Sequence, residues 1–331
     1  MLEIVMARWC SGVRPLVAAV VLALAPQAFA FELQGHRGAR GLLPENTLAG
    51  FERALEIGVT TLELDIAITA DGVPVIYHDP ELNPALTRDA QGQWVKGKGP
   101  LIRTLSLAQA QAYDVGRLDP SSEYARQFAG QQPRDGQRIP TLAALFARVH
   151  ALGADKVHFA IETKIFPNRP LDTLGPQEFV DALLTVIRQA RMAERVRIIS
   201  FDWRTLQLVQ KLEPAIETVY LTTESARNNS VRDAAWTGGI LWRDHASVAH
   251  MIKASGGRFW SPNFNHIDAA KVKAAQQLGV KVLPWTVNEP ADMDRLIGWG
   301  VDGIVTDYPD RLREAMQRAG LALPGQLLPK N

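Results

Sequence analysis

From residue 32 onward the chain alternates short β-rich runs with amphipathic helical stretches and keeps that rhythm almost to its end. The β-rich runs are ELQGH (32–36), TLELDIAIT (61–69), VPVIYH (73–78), KVHFAIET (156–163), VRIISF (196–201), ETVYLT (217–222), RFWSP (258–262), KVLPWTV (281–287) and VDGIVT (301–306). Between them lie stretches such as NTLAGFERALEIG, TLAALFARVHALG, FVDALLTVIRQARM and DAAKVKAAQQLG, several closing on a glycine just before the next strand. A terminal glycine is a helix stop signal. Strand–helix alternation implies a parallel sheet, because parallel neighbours need a crossover. With 73–78 set aside as the second arm of a hairpin, eight such strands remain, and the expected α/β architecture is a (β/α)8 TIM barrel rather than an open sheet. No Gly-x-Gly-x-x-Gly follows the first strand, which removes the main sign of a doubly wound dinucleotide fold. Residues 80–138, rich in Gly, Pro, Gln and Asp, break the rhythm. They read as a small insertion after the second-strand hairpin, serving as a lid or substrate wall.

The first 30 residues belong to a different pattern. Arg8 and Arg14 precede the apolar run Leu16–Ala25, and Ala28-Phe29-Ala30 has the small-x-small form of a cleavage site. This predicts a signal peptide removed after Ala30 and a periplasmic or secreted chain of residues 31–331. The run is too short to span a bilayer core of roughly 30 Å, so no stable membrane insertion is expected. Cys10, the only cysteine, lies in this leader, so the mature fold relies on its packed core without disulfides. A net charge of +1 gives no basic surface for nucleic acid. Oligomeric state is not encoded legibly.

The most informative stretch is LELDIAITADGVPVIYHD, residues 62–79. Glu63 and Asp65 stand two apart on a strand and therefore share a face, while Leu62, Leu64 and Ile66 take the other. Two carboxylates so close repel unless a positive group lies between them. Apolar neighbours on both sides indicate a buried barrel strand rather than a solvated face. Asp71-Gly72 signals a two-residue hairpin turn. That turn would pair Ala70 with Val73 and Asp65 with His78, bringing the imidazole beside the acids with its charged form favoured.

A second acidic strand follows in HFAIETK, where Glu162 and Lys164 are again two apart at the carboxyl end. Barrel enzymes place their chemistry at that end. Glu63, Asp65 and Glu162 make an oxygen-donor set suited to Ca²⁺ or Mg²⁺ rather than zinc; the alternative is structural ion pairing with Lys164 and Arg37. His36 and Arg37 end the first strand at the same rim, with Gly38 able to bend the chain so that both reach the mouth. Cationic Arg37 and Lys164 beside a metal would hold a phosphate, and two flanking histidines, His36 and His78, would form a base–acid pair for phosphoryl transfer.

Taken in order, HRG, PENT, the ExD pair of LELDIAIT, the DG-x-P-V-x-x-HD run, ETK, SFD and PWTVN resemble the glycerophosphodiester phosphodiesterases from Gly35 to about Pro309. The insertion, with RTLSLAQAQAYDVG near its end, is similar to that family's small capping module. The resemblance implies that His36 and His78 are the catalytic acid–base pair, and that Glu63, Asp65 and Glu162 ligate a divalent cation, Ca²⁺ or Mg²⁺. It further implies that Arg37 and Lys164 contact phosphate and that Trp285 lines the substrate pocket. Thr163 stands where the family more often has an aliphatic residue. Glu45 and Asn46 lie in the matched PENT segment without an assigned role, and Asn46 or Thr47 could cap the following helix. The implied reaction is hydrolysis of a small-molecule glycerophosphodiester to sn-glycerol 3-phosphate and an alcohol. A physical route is attack by the glycerol 2-hydroxyl, with His36 as first base and His78 as first acid, then opening of a cyclic phosphate by water. Competing readings are a lysophospholipase D-type activity on lysolipids and a non-catalytic phosphodiester-binding protein. Phe201 could wall the pocket or pack in the core; His150, His158, His245, His250 and His266 are given no catalytic role.

Overall fold

The computed structural model describes residues 31–327; the expected signal peptide lies outside the described residues. In chain order the strands are β1 (Glu32–Gly35), β2 (Thr61–Ile68), β3 (Pro74–Ile76), β4 (His158–Thr163), β5 (Val196–Ser200), β6 (Glu217–Thr222), β7 (Phe259–Pro262), β8 (Lys281–Val282) and β9 (Gly303–Thr306). The helices are α1 (Leu48–Ile57), α2 (Leu107–Ala110), α3 (Glu123–Gln127), α4 (Leu142–Ala151), α5 (Pro176–Gln189), α6 (Trp203–Leu212), α7 (Val248–Ala254), α8 (Ala269–Gln277), α9 (Pro290–Gly298) and α10 (Pro309–Arg318). Eight strands pair in parallel in the order β8-β7-β6-β5-β4-β2-β1-β9, with β3 antiparallel to β2 and off this path. The segments after β8 close the circle: Asp302 N donates to Val282 O, and Val305 N to Pro284 O, each at 3.0 Å. The expected (β/α)8 barrel is the fold. Among the described residues, no helix is long and apolar enough to cross a membrane.

The period-2 pattern divides each strand between two environments. Leu62, Leu64 and Ile66 of β2, Phe159 and Ile161 of β4, and Ile198 of β5 face outward into the main core, against Phe51, Leu145, Phe179 and Leu183 of the helices. Each such side chain contributes roughly 1.5–3 kcal/mol by leaving water. Glu63, Asp65 and Glu162 therefore face the barrel interior. Thr163, the departure from the family pattern, faces outward; its hydroxyl bonds Ser200 Oγ at 2.9 Å and Thr205 Oγ1 at 2.8 Å.

The hairpin differs from expectation. Thr69 N donates to Val73 O, so the loop holds three residues, Ala70–Gly72, and Gly72 takes the left-handed conformation (φ 76°) common at the end of such loops. The register is Ile66↔Ile76 and Ala67↔Val75. Asp65 consequently opposes Tyr77, whose N–H it accepts at 2.9 Å, and not His78. One extra loop residue turns every side chain of β3 over. Val75 and Tyr77 thus join a second, smaller core with Leu82, Leu86, Ile102, Ala110, Val115 and Ile139, on which residues 80–138 are built. His78 still reaches the barrel mouth because β3 ends at Ile76, so the strand alternation no longer governs it.

Candidate active site

The turn after β1 assembles one side of the site. Arg37 (φ 50°) and Gly38 (φ 88°) are both left-handed, so the bend begins on the arginine itself and not on the glycine alone. That conformation is costly for a residue with a Cβ and persists only where the surroundings enforce it. Here Arg37 N donates to Glu63 Oε2 at 2.8 Å and Arg37 O accepts from Asn46 N at 3.0 Å. The unassigned PENT residues now have roles. Glu45 Oε1 accepts from Arg37 Nη1 at 2.8 Å, Asn46 Nδ2 donates to Asp65 Oδ2 at 2.9 Å, and Thr47 Oγ1 caps α1 by accepting from Gly50 N at 3.0 Å.

Glu63, Asp65 and Glu162 each bring a carboxylate oxygen within 4.8 Å of the others, all buried. Burial, with Asp65 and Glu162 beside it, raises the Glu63 carboxyl well above the usual range. Burial and the Asp65 charge push Glu162 up to about 7, against the pull of Lys164. Asp65, despite burial, is held below the normal range by Arg37, His78 and Lys164. Lys164 Nζ lies 2.9 Å from Glu162 Oε1 and 3.8 Å from Asp65 Oδ1, and Arg37 Nε lies 3.2 Å from Asp65 Oδ2. Asp65 Oδ1 is buried without a hydrogen-bond partner. A free buried acceptor among three crowded carboxylates fits a hard divalent cation, which prefers such oxygens. The cationic pairs with Arg37 and Lys164 coexist with that fit.

Both imidazoles lean on a carboxylate. His36 Nδ1 donates to Asp307 Oδ1 at 2.6 Å, leaving Nε2 towards Glu63 Oε2 at 3.9 Å. His78 Nδ1 donates to Asp79 Oδ1 at 2.7 Å, and its Nε2 accepts from Lys164 Nζ at 2.9 Å. An ionised carboxylate only accepts and an ammonium only donates, so each ring carries its proton on Nδ1 and a lone pair on Nε2. Burial, then the Arg40 charge, lowers His36 to about 4. Burial, then Arg37 and Lys164, lowers His78. This corrects the expectation of a charged His78: desolvation and two cations outweigh the neighbouring acids.

These groups ring the mouth of a cavity of about 190 Å³ that runs into the barrel. Its far wall is apolar, with Ile199, Val219, Leu221 and Leu283 beneath Phe201 and Trp285. The two aromatic rings meet edge to face with centroids 5.4 Å apart, and Trp285 Nε1 donates to Ser261 O at 2.9 Å, which fixes the indole. Phe201 therefore walls the pocket, while its neighbour Asp202 caps α6 by accepting from Arg204 N at 3.1 Å.

Residues 36–311 match the model of the glycerophosphoryl diester phosphodiesterase family. The chain belongs to that family. A candidate glycerophosphoryl diester phosphodiesterase from Silicibacter pomeroyi, known from its crystal structure, is 36% identical, with a TM-score of 0.79 over 89% of this chain and 96% of that one. A glycerophosphodiester phosphodiesterase of Caldanaerobacter subterraneus is 29% identical over 86% of this chain and 97% of its own length. The fold is also shared with an Oleispira antarctica phosphodiesterase solved with the product sn-glycerol 3-phosphate, 23% identical, with a TM-score of 0.65 over 87% of this chain and 98% of that one.

In this phosphodiesterase seven of the eight expected site residues, His36, Arg37, Glu63, His78, Glu162, Lys164 and Trp285, line a single cavity; Asp65 does not line it and is held by Arg37 and Asn46. Three participants escaped the sequence reading. Asp307, fully buried, receives His36, the Arg40 guanidinium at 2.7 and 2.9 Å, and Asn288 Nδ2 at 2.7 Å. Despite burial, His36 and Arg40 hold its carboxyl well below the usual range. Arg40 also lines the cavity. Tyr124, from the insertion, accepts from Arg40 Nη1 at 3.1 Å and donates to Glu45 Oε2. One signal was available: Asp307 immediately follows a barrel strand at its carboxyl end.

Proposed function

We propose that this chain hydrolyses glycerophosphodiesters to sn-glycerol 3-phosphate and an alcohol, by acid–base catalysis between His36 and His78. The observation carrying this reading is the pair of neutral, carboxylate-braced imidazoles on either side of three acids and two cations at a single rim. Arg37 and Lys164 grip the phosphate through the N–H groups that Glu45, Asp65 and Glu162 leave unused. His36 Nε2 takes the proton of the glycerol 2-hydroxyl, whose oxygen attacks phosphorus, and Asp307 stabilises the imidazolium that results. The phosphodiester's negative charge draws the Lys164 ammonium to a phosphate oxygen and off His78 Nε2, so that nitrogen takes up a proton and gives it to the departing alcohol oxygen. Water then opens the cyclic phosphate with the two roles exchanged. Glu63, Asp65 and Glu162 would hold the divalent cation, Ca²⁺ or Mg²⁺ by their all-oxygen chemistry; when bound, it supplies charge neutralisation at a non-bridging phosphate oxygen. Trp285 and Phe201 cover the carbon skeleton of the substrate and keep water out.

The test is a comparison of His36→Ala and His78→Ala with the unaltered chain. Release of sn-glycerol 3-phosphate from glycerophosphocholine should fall by roughly 10²–10⁴-fold in each, while affinity for that product is retained. Turnover unchanged in either variant contradicts the assignment. The apolar wall of Ile199, Val219, Leu221 and Leu283 favours a second reading, action on lysophospholipids. A higher kcat/KM on lysophosphatidylcholine than on glycerophosphocholine would select it. We further propose export to the periplasm or medium; the mass of the mature chain should place its first residue at Phe31, and a retained leader would contradict this.

A further inference from the structure

We propose that Tyr124, carried in by the insertion, is a positioning residue that fixes the phosphate-gripping Arg37 and the His36–Asp307 pair relative to one another. The proposal rests on the reading of Arg37 and His36 given above. Its basis is a chain of hydrogen bonds that starts on His36 and ends on its sequence neighbour Arg37. His36 Nδ1 donates to Asp307, and Arg40 Nε donates to the same carboxylate at 2.7 Å. Arg40 Nη1 donates to the Tyr124 hydroxyl at 3.1 Å, that hydroxyl donates to Glu45 Oε2, and Glu45 Oε1 accepts from Arg37 Nη1 at 2.8 Å. A single phenol oxygen thus joins the two halves, accepting from one and donating to the other.

The surroundings hold the phenol where that chain of bonds needs it. Tyr124 lies in α3, started by Ser122, whose hydroxyl accepts from Ala125 N at 3.0 Å. Its ring meets Phe128 edge to face at 5.3 Å, and Phe128 in turn lies under the Arg40 guanidinium at 4.7 Å. Gln131 Nε2 donates to Arg40 O at 2.7 Å, and Gln132 N donates to Leu42 O at 2.8 Å. Residues 124–132 therefore clamp the turn that bears His36, Arg37 and Arg40. The insertion also reaches the other imidazole, since Asn83 Nδ2 donates to Asp79 Oδ2 at 2.7 Å behind His78. A lid that only covered the pocket would need none of these bonds. Without the phenol oxygen, the Glu45 carboxylate loses its anchor, and the Arg37 guanidinium is left with Asp65 alone to fix it at the phosphate site.

Tyr124→Phe keeps the ring, and its packing on Phe128, and removes only the hydroxyl. Hydrogen bonds to charged groups are worth about 1.5–3 kcal/mol, which corresponds to roughly 10–100-fold in affinity. The variant should raise KM for glycerophosphocholine, and Kd for sn-glycerol 3-phosphate, by at least about tenfold. Its kcat should stay within about threefold, because Arg40 still holds Asp307 through Nε and Nη2, and its circular dichroism spectrum should match that of the unaltered chain. Glu45→Gln should act in the same direction, and the double variant should be no worse than the more damaging single one, because the phenol acts through Glu45. Unchanged KM and Kd in Tyr124→Phe, or fully additive losses in the double variant, would overturn the proposal. If the unaltered chain shows no turnover, the functional reading fails, and product affinity alone then decides the role of Tyr124.

Discussion

Asp307 shows how much a single buried charge can govern. It accepts the His36 Nδ1 proton, so it selects the tautomer that leaves Nε2 free and lies beside the positive charge when that nitrogen takes a proton. Asp307→Asn preserves shape but turns a pure acceptor into an amide whose nitrogen can face the ring. We expect kcat to fall by roughly 10²-fold or more, with the circular dichroism spectrum unchanged. An Asp307→Asn enzyme of full kcat would remove the His36 dyad from the account. The lowered His36, at about 4, sets a pH dependence whose sign is definite. The base form is the neutral ring, which predominates above about 4 and is lost as pH falls through that value. The kcat/KM profile should therefore carry its acid limb near 4 rather than near the 6.5 of an unperturbed imidazole. A limb attributable to His36 at 6.5 or above would contradict this.

At the scale of elements, the barrel strands were legible because apolar residues with period 2 leave little choice of face. Glu63, Asp65 and Glu162 were found by that rule, and their convergence follows from the parallel register, in which Asp65 sits beside Glu162. The hairpin was not legible: Asp-Gly closes either a two- or a three-residue loop, and the choice turns on the conformation of Ala70, a residue with no strong preference. KVLPWTV also overstated its strand, since Pro284 lacks the N–H a ladder needs; only Lys281–Val282 pair regularly, and Trp285 follows as an isolated bridge to Asn263. Tyr124 was beyond reach because nothing local tells an insertion residue which distant turn it will touch. The turn after β1 carries its own prediction. A Cβ built on Gly38 would lie 2.7 Å from Gly50 C and 2.8 Å from Gly50 O, at a φ of 88°. Gly38→Ala should lose about 2 kcal/mol or more from the combined strain and clash, read as a lower urea midpoint. An unchanged midpoint would show that α1 can retreat freely.

Across the whole molecule, the barrel supplies position and the insertion supplies restraint. Strands from distant parts of the chain deliver acids and imidazoles to one rim, while residues 80–138 brace both histidine–carboxylate pairs from outside, through Asn83 and Tyr124. The carboxylates also link cation uptake to protons. Burial and Asp65 raise Glu162 to about 7, and Glu63 is raised as well, so in the cation-free chain some of these oxygens hold protons near neutrality. A divalent cation must displace them, so its affinity should rise as pH increases through about 7 and its binding should release protons. Calorimetric titration in two buffers of different ionisation enthalpy measures that release; an affinity independent of pH from 5 to 8 would place the cation elsewhere. The most direct test of the whole account is release of sn-glycerol 3-phosphate from glycerophosphocholine before EDTA, after it, and after adding back Ca²⁺ or Mg²⁺. EDTA should abolish turnover and one of the two cations should restore it, and that restoration should fail in Asp65→Asn. Turnover that survives EDTA, or that Asp65→Asn recovers in full, would contradict the account.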